Sequence, residues 1–300
     1  QASMEDVIIV GGGAAGLAAG LYSARYKLKT RILVKELGGT GNEAHLVDNW
    51  IGSPGIAGLE LMDNFVKHVK SYDVPIETEE ISKVSKEEDK FVLETNSGKK
   101  FESKTVIFAN GMKHRKLGIT GEKEYEGKGV HYCYTCDGPL YGGKTVALIG
   151  GSDSAALGAL FMAEHAEKVY VIYRKSKIRA EPVSTEAVYN HPKIEVIHDT
   201  NLIEIYGEQF VTGVKTDTGK DIKLDGVFVE IGHLPQSDLP KQVGVEIDER
   251  GFVKVDSSFK TNVEGVFAAG DITNATSLKQ FITSAAQGSI AAQTAYLFLK

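Results

Sequence analysis

Val7-Ile8-Ile9-Val10-Gly11-Gly12-Gly13-Ala14-Ala15-Gly16 decides the fold of this chain. Four β-branched residues in a row read as a buried parallel strand. They run into Gly11-x-Gly13-x-x-Gly16 and then into an Ala- and Leu-rich helical segment, Leu17 to Lys27. A second strand follows at Thr30 to Val34. Strand, glycine turn, helix and strand make the βαβ unit that binds dinucleotides. Gly11 permits the tight turn, Gly13 lets the backbone approach a pyrophosphate, and Gly16 lets the helix pack close to the strand. The free N–H groups and dipole of the helix start then face the phosphates. Glu36 lies 20 residues after Gly16, where a carboxylate can bind a ribose hydroxyl.

Downstream, Gly38 to Gly52 is polar and loop-like, and Gly58 to Tyr72 reads as a helix. Strands are expected at Ile81–Val84, Phe91–Thr95 and Thr105–Ala109, the last closed by Asn110-Gly111. The opening pattern then recurs. Thr145 to Ile149 is a strand, Gly150-Gly151-Ser152-Asp153-Ser154-Ala155 a turn, Ala156 to Ala166 a helix, and Val169 to Tyr173 a strand. Further strands read at Ile194–His198, Phe210–Thr216 and Val227–Ile231. Near the end, Gly265 to Asp271 is a strand closing in Gly-Asp, and a long Ala-rich helix spans Thr283 to Leu299. The fold class is α/β, with two Rossmann-like dinucleotide-binding domains, the second inserted into the first.

Composition agrees. In 300 residues, 42% are hydrophobic and 25% charged, as in a globular protein of two cores. The formal charge of −6 and the lack of a basic run argue against nucleic acid or anionic membrane as partners. The apolar run Val7 to Ala24 is interrupted by Gly11-Gly12-Gly13 and preceded by Glu5-Asp6. It therefore reads as neither signal peptide nor membrane span, and a cytoplasmic protein is expected.

Cys133-Tyr134-Thr135-Cys136-Asp137-Gly138 holds the chain's only 2 cysteines. At this spacing two thiols can close a small disulfide ring, and a low-pKa thiolate is the species that exchanges disulfides. Asp137 can give a proton to a leaving thiolate or take one back. Zinc needs two further ligands, and no second cysteine pair exists, so no metal site is expected. A purely structural disulfide is the other reading, and it lacks any sign of secretion. His131, ahead of the pair, could tune the cysteines, and reads first as a structural histidine.

Together these pieces resemble the low-molecular-weight thioredoxin reductases. The resemblance rests on Val10 to Gly16, on Gly38-Gly39 with Asp48-Asn49-Trp50, on the CYTCDG hexapeptide, and on Gly265 to Asp271 with Lys279-Gln280-Phe281-Ile282-Thr283-Ser284-Ala285. It implies an FAD domain built from residues 4–114 and 244–300, and an inserted pyridine-nucleotide domain, 115–243, carrying the cysteines. It implies that Gly11, Gly13, Ala15, Gly16, Gly39, Thr40 and Gly111 line the flavin site, although family members have Gln where this chain has Thr40. Asn49 would lie against the flavin, Asp271 would bind its ribityl chain, and Gln280 would approach the ring. Cys136 would receive electrons, Cys133 would attack the disulfide of thioredoxin or a similar small dithiol protein, and Asp137 would be the acid. The family is typically homodimeric and rotates the inserted domain about hinges, here expected near Arg115 to Gly118 and near Gly244.

The second glycine turn departs from the family's Gly-Gly-Gly-Asn-Thr-Ala followed by paired glutamates. Ser152 puts a Cβ where the pyrophosphate should approach. Asp153 adds negative charge there, a repulsion of roughly 3 kcal/mol at ~5 Å and an effective dielectric of ~20, or about two decades in affinity. Leu157 and Gly158 stand in place of the glutamates. Conversely Arg174, Lys175 and Arg179 fall at the family's basic positions for the NADPH 2′-phosphate, or form a solvated basic loop. Weak or absent use of NADPH is expected, and weaker use of NADH. The donor would be NADPH or another reductant such as reduced ferredoxin. The rival class is a flavin-bound redox sensor that does not turn over.

Overall fold

The computed structural model describes residues 4–44, 47 and 49–300; Asp48, part of the loop motif quoted above, lies outside them. The chain forms two compact units. The first comprises the chain up to Lys113 together with Leu234–Lys300; the second is His114–His233.

In the first unit, β1 (Glu5–Val10), α1 (Ala14–Arg25) and β2 (Thr30–Val34) form the expected βαβ element. Then come α2 (Gly58–Lys70), β3 (Ile76–Thr78), β4 (Ile81–Glu87), β5 (Lys90–Thr95), β6 (Lys100–Phe108) and β7 (Met112–His114). The second unit contains β8 (Val130–His131), α3 (Tyr134–Asp137), β9 (Thr145–Ile149), α4 (Asp153–His165), β10 (Lys168–Ile172), α5 (Pro182–Asn190) and β11 (Ile194–Ile197). It continues through β12 (Leu202–Gly207), β13 (Val211–Thr216), β14 (Asp221–Lys223) and β15 (Gly226–Val229), and β16 (His233–Pro235) carries the chain back into the first unit. The chain closes with α6 (Asp238–Gln242), β17 (Val266–Ala268) and α7 (Phe281–Phe298).

The large sheet of the first unit runs β3-β2-β1-β6-β5-β4. β6 is long enough to serve two partners on one edge: Lys100 to Ser103 pair with β5, and Val106 to Phe108 pair with β17. The β-branched run of β1 is buried on both faces, as a central parallel strand must be. Val7 and Ile9 join a core with α1 and α7, whereas Ile8 and Val10 join another with Val84, Leu93 and Val253. In the second unit the parallel sheet β11-β10-β9-β15-β8 repeats this design. Val146 and Leu148 face α4, and Ala147 and Ile149 face the antiparallel sheet β12-β13-β14.

The return to the first unit falls at Leu234, ahead of the position near Gly244 read from the sequence. Side chains between the two positions explain this. Gln236 Nε2 donates to the carbonyls of Asn110 and Met112, and Gln242 Oε1 accepts the Val84 N–H. Gly244, at φ +87°, is only the turn that ends α6.

Candidate active site

In the first unit the glycine turn has the shape its spacing predicts. Gly11 has φ +117°, and a Cβ there would run into the Ala109 carbonyl. A Cβ on Gly16 would overlap the Gly11 carbonyl oxygen, so this glycine sets the approach of α1 to β1. Gly13 is different: a Cβ would meet nothing nearer than the Gly38 carbonyl oxygen at 4.0 Å. Its backbone borders an open cleft, and the missing side chain leaves room that a phosphate can use.

That cleft is lined by Gly13, Ala15, Thr40, Gly111, Asp271 and Gln280 among others. Gly39 faces the Gly13 backbone, and Glu36 is exposed and outside the lining. Two predicted residues meet directly: Asn49 Nδ2 donates to Gln280 Oε1 at 3.0 Å. Gln280 is also the N-cap of α7, in a reciprocal capping box with Thr283. Asp271 follows Gly270 and accepts a hydrogen bond from Ser284 Oγ at 3.0 Å. Burial raises the Asp271 pKa, against opposing effects of Ser284 and Lys279. The Gly-Asp turn is held from within by Gln287, whose Oε1 accepts the Gly270 N–H at 2.8 Å and the Thr273 hydroxyl at 3.2 Å. Sequence reading missed Gln287 because a buried amide on an Ala-rich helix carries no motif.

In the second unit Cys133 and Cys136 form a disulfide, with Cα atoms 5.3 Å apart. Cys133 is the N-cap of α3. Its sulfur accepts the Cys136 N–H at 3.1 Å and lies 3.4 Å from Thr135 Oγ1. After reduction the same contacts would stabilise a Cys133 thiolate. Tyr134, between the cysteines, packs on α4 beside Gly158. A Cβ on Gly158 would lie 2.9 Å from the Tyr134 ring and 2.7 Å from Leu148 Cδ1. Burial, with a smaller contribution from Glu230, pushes the Tyr134 phenol up to about 12. Asp137 is gripped from behind by His131, whose Nδ1 lies 3.0 Å from Asp137 Oδ2. His131 thus touches the carboxylate of the dithiol motif, a contact its place in the sequence did not reveal.

A second cleft lies at the other glycine turn, bordered by Gly150, Gly151, Ser152, Tyr173, Arg174, Arg179 and Glu230. Ser152 is exposed at the position equivalent to Gly13; it caps α4 without a side-chain bond to the helix backbone, and its Oγ lies 3.1 Å from Ser154 Oγ. Asp153 Oδ1 accepts the Glu181 N–H at 2.6 Å, so its carboxylate is tied to the start of α5. Lys175 is exposed and is not part of the lining.

A model of the pyridine nucleotide-disulphide oxidoreductases matches residues 5–288. The chain belongs to that family. A thioredoxin reductase of Treponema pallidum is 37% identical over 98% of this chain and 97% of its own length. The crystal structure of T. acidophilum thioredoxin reductase superposes with a TM-score of 0.86 at 40% identity, covering 98% of each chain. A ferredoxin-flavin thioredoxin reductase from Clostridium acetobutylicum superposes with a TM-score of 0.56 at 33% identity, covering 99% of this chain and 98% of that one. The chain is therefore an oxidoreductase of the thioredoxin-reductase type, and membership of the family implies FAD. No described helix is long and apolar enough to cross a membrane.

Proposed function

We propose that this protein is an FAD-dependent disulfide reductase acting on thioredoxin or a similar small dithiol protein, with weak or absent use of NADPH. The observation that carries the reading is the Cys133–Cys136 disulfide at the start of α3, with Asp137 directly after the second cysteine in the chain. FAD would be held by Gly11, Gly13, Ala15, Gly16, Gly39, Thr40, Gly111, Asn49, Asp271 and Gln280, with Glu36 on a ribose. When bound it supplies the electron pair that opens the disulfide. The Cys133 thiolate, steadied by the Cys136 N–H and the Thr135 hydroxyl, attacks one sulfur of the substrate disulfide. The substrate's other sulfur leaves as a thiolate and takes a proton from solvent. Cys136 then gives its proton to Asp137 and attacks Cys133. This reforms the disulfide and releases the second substrate sulfur, which Asp137 reprotonates. Two electrons and two protons pass to the substrate.

The weak use of NADPH rests on Ser152 where Gly13 stands in the first unit, and on Leu157 and Gly158 in α4. Arg174 and Arg179, both at the second cleft, favour the ordinary NADPH-dependent reading. The likeness to a reductase named for ferredoxin makes reduced ferredoxin a donor to test. The reading includes a cytoplasmic homodimer.

The test is an anaerobic titration of the purified protein, followed by its flavin absorbance. Flavin that stays oxidised with NADPH and NADH, bleaches with dithionite or reduced ferredoxin, and then reduces thioredoxin supports the proposal. Rapid bleaching by near-stoichiometric NADPH refutes the donor part. A Cys136→Ser variant that still turns over thioredoxin refutes the dithiol part.

A further inference from the structure

His131 is 8% exposed, and both its ring nitrogens are engaged. Nδ1 faces Asp137 Oδ2 at 3.0 Å, and Nε2 faces Tyr141 Oη at 2.7 Å. The imidazole stacks on Phe228 of β15, with ring centres 5.2 Å apart, and meets Tyr141 edge-on. Tyr141 is itself buried, and burial, with Asp137 and Asp225 adding to it, pushes its phenol up to about 12. It therefore stays protonated at neutral pH and can donate to Nε2. A ring that accepts at Nε2 and is neutral must carry its proton on Nδ1, where the Asp137 carboxylate accepts it. Burial lowers the His131 pKa, against the pull of Asp137, which favours the neutral ring. The charged or titratable groups around this chain are Asp137 from α3, Tyr141 from the turn after it, Asp225 ahead of β15, and Lys144, whose Nζ lies 5.6 Å from the Tyr141 ring centre.

We propose that His131 is a positioning residue of the dithiol site: fixed by Tyr141 and Phe228, it holds the Asp137 carboxylate in one orientation and keeps one donor on it throughout thiol–disulfide exchange. This rests on the reading of the cysteine pair as redox-active. His131 enters no covalent step. The proton that leaves the Cys136 thiol still goes to Asp137 and from there to the departing sulfur. What His131 controls is the direction in which Asp137 points and the donor it meets.

The test compares His131→Leu, His131→Asn and Tyr141→Phe in the full-length holoprotein, reduced with dithiothreitol and desalted anaerobically. Asn keeps an N–H donor where Nδ1 stands but cannot reach Tyr141; Leu removes the donor. Two readouts are taken across pH 5–9: the single-turnover rate with the small disulfide 5,5′-dithiobis(2-nitrobenzoate), and alkylation of each cysteine by iodoacetamide, followed by mass spectrometry. Leu is expected to slow the single turnover about tenfold and to change the pH dependence of both profiles. Asn should stay within about threefold of the parent, and Phe should fall between. Unaltered profiles in His131→Leu overturn the proposal, as does an Asn variant no better than Leu when both melt like the parent. The alkylation readout needs no partner, so it separates this proposal from the disulfide-reductase reading. A parent protein that alkylates normally but never reduces a disulfide would overturn that reading instead.

Discussion

The carboxylate of Asp153 accepts the backbone N–H of Glu181 at 2.6 Å, joining the first turn of α4 to the residue that precedes Pro182 in α5. Read from the sequence, this charge simply repels a pyrophosphate. In the fold it also satisfies a donor at the next helix start. Asp153→Ala should therefore cost about 1 kcal/mol in denaturant unfolding, the usual loss for an exposed charge-assisted bond. Ser152→Gly should leave stability nearly unchanged, since glycine is tolerated at an N-cap, and tighten NADPH binding about tenfold, measured by calorimetry, because it clears the Cβ and hydroxyl from the turn. A tenfold gain from Asp153→Ala with none from Ser152→Gly would assign the weak binding to the Asp153 charge rather than to the Ser152 side chain.

Gly13 and Gly16 belong to one motif but should fail differently. Gly13→Ala adds a methyl to an open cleft and should fold with a parent-like Tm when stripped of flavin, yet retain less than a tenth of the flavin per chain. Gly16→Ala drives a methyl into the Gly11 carbonyl and should lose at least 3 kcal/mol, since backbone must move. Flavin absorbance per polypeptide and thermal melts of the apoprotein measure both.

Gly158 reads as a helix-weakening substitution, and on propensity alone Gly158→Ala would stabilise α4 by about 1 kcal/mol. The packing gives the opposite sign. The new methyl would press on Leu148 and Tyr134, for a net loss of about 1–2 kcal/mol. Adding Tyr134→Ala to Gly158→Ala should recover part of it, as a double-mutant cycle in urea will show.

Burial is the main cause that raises the Asp271 pKa in the fold above its value of 3.8. A carboxyl whose folded pKa is raised binds more protons folded than unfolded, so stability falls as pH rises from about the unfolded pKa through the folded one. Asp271→Asn should therefore raise the Tm of the flavin-free protein at pH 7, and the gain should vanish below about pH 4. The same variant should lose flavin. A gain independent of pH would show that the charge is not its source.

How far the sequence carried these conclusions depends on the kind of signal. β-Branched runs and glycine spacing located both βαβ elements, because a strand buried on two faces and a turn against a helix leave few other residues possible. Of the first unit's motif residues, Gly13, Ala15, Thr40, Gly111, Asp271 and Gln280 line one cleft, whereas Gly11, Gly16, Gly39, Asn49 and Glu36 lie outside its lining. Contacts between distant side chains were not legible. Nothing near His131 in the sequence announces Tyr141 and Asp137 as partners, since a two-residue strand and two short turns bring them together. Helix α5, which starts on Pro182 among polar residues, and the short strands β12 and β14 have no apolar period to reveal them. Gly244 looked like a boundary because turns and domain borders share the same punctuation.

The two passages of the chain between the units run side by side as β7 and β16. The Arg115 N–H donates to the Gly232 carbonyl at 2.9 Å, and the Gln236 N–H donates to the Gly111 carbonyl at 3.0 Å. Each unit thus begins and ends its interruption within one hydrogen bond. A gene for residues 114–233 alone would encode a piece whose termini already touch. The remaining halves, spliced between Gly111 and Gln236, would need only a tight turn to become one continuous chain. Such an arrangement is what a late insertion into a finished domain leaves behind, and it makes the two halves of this reductase separable modules for recombination.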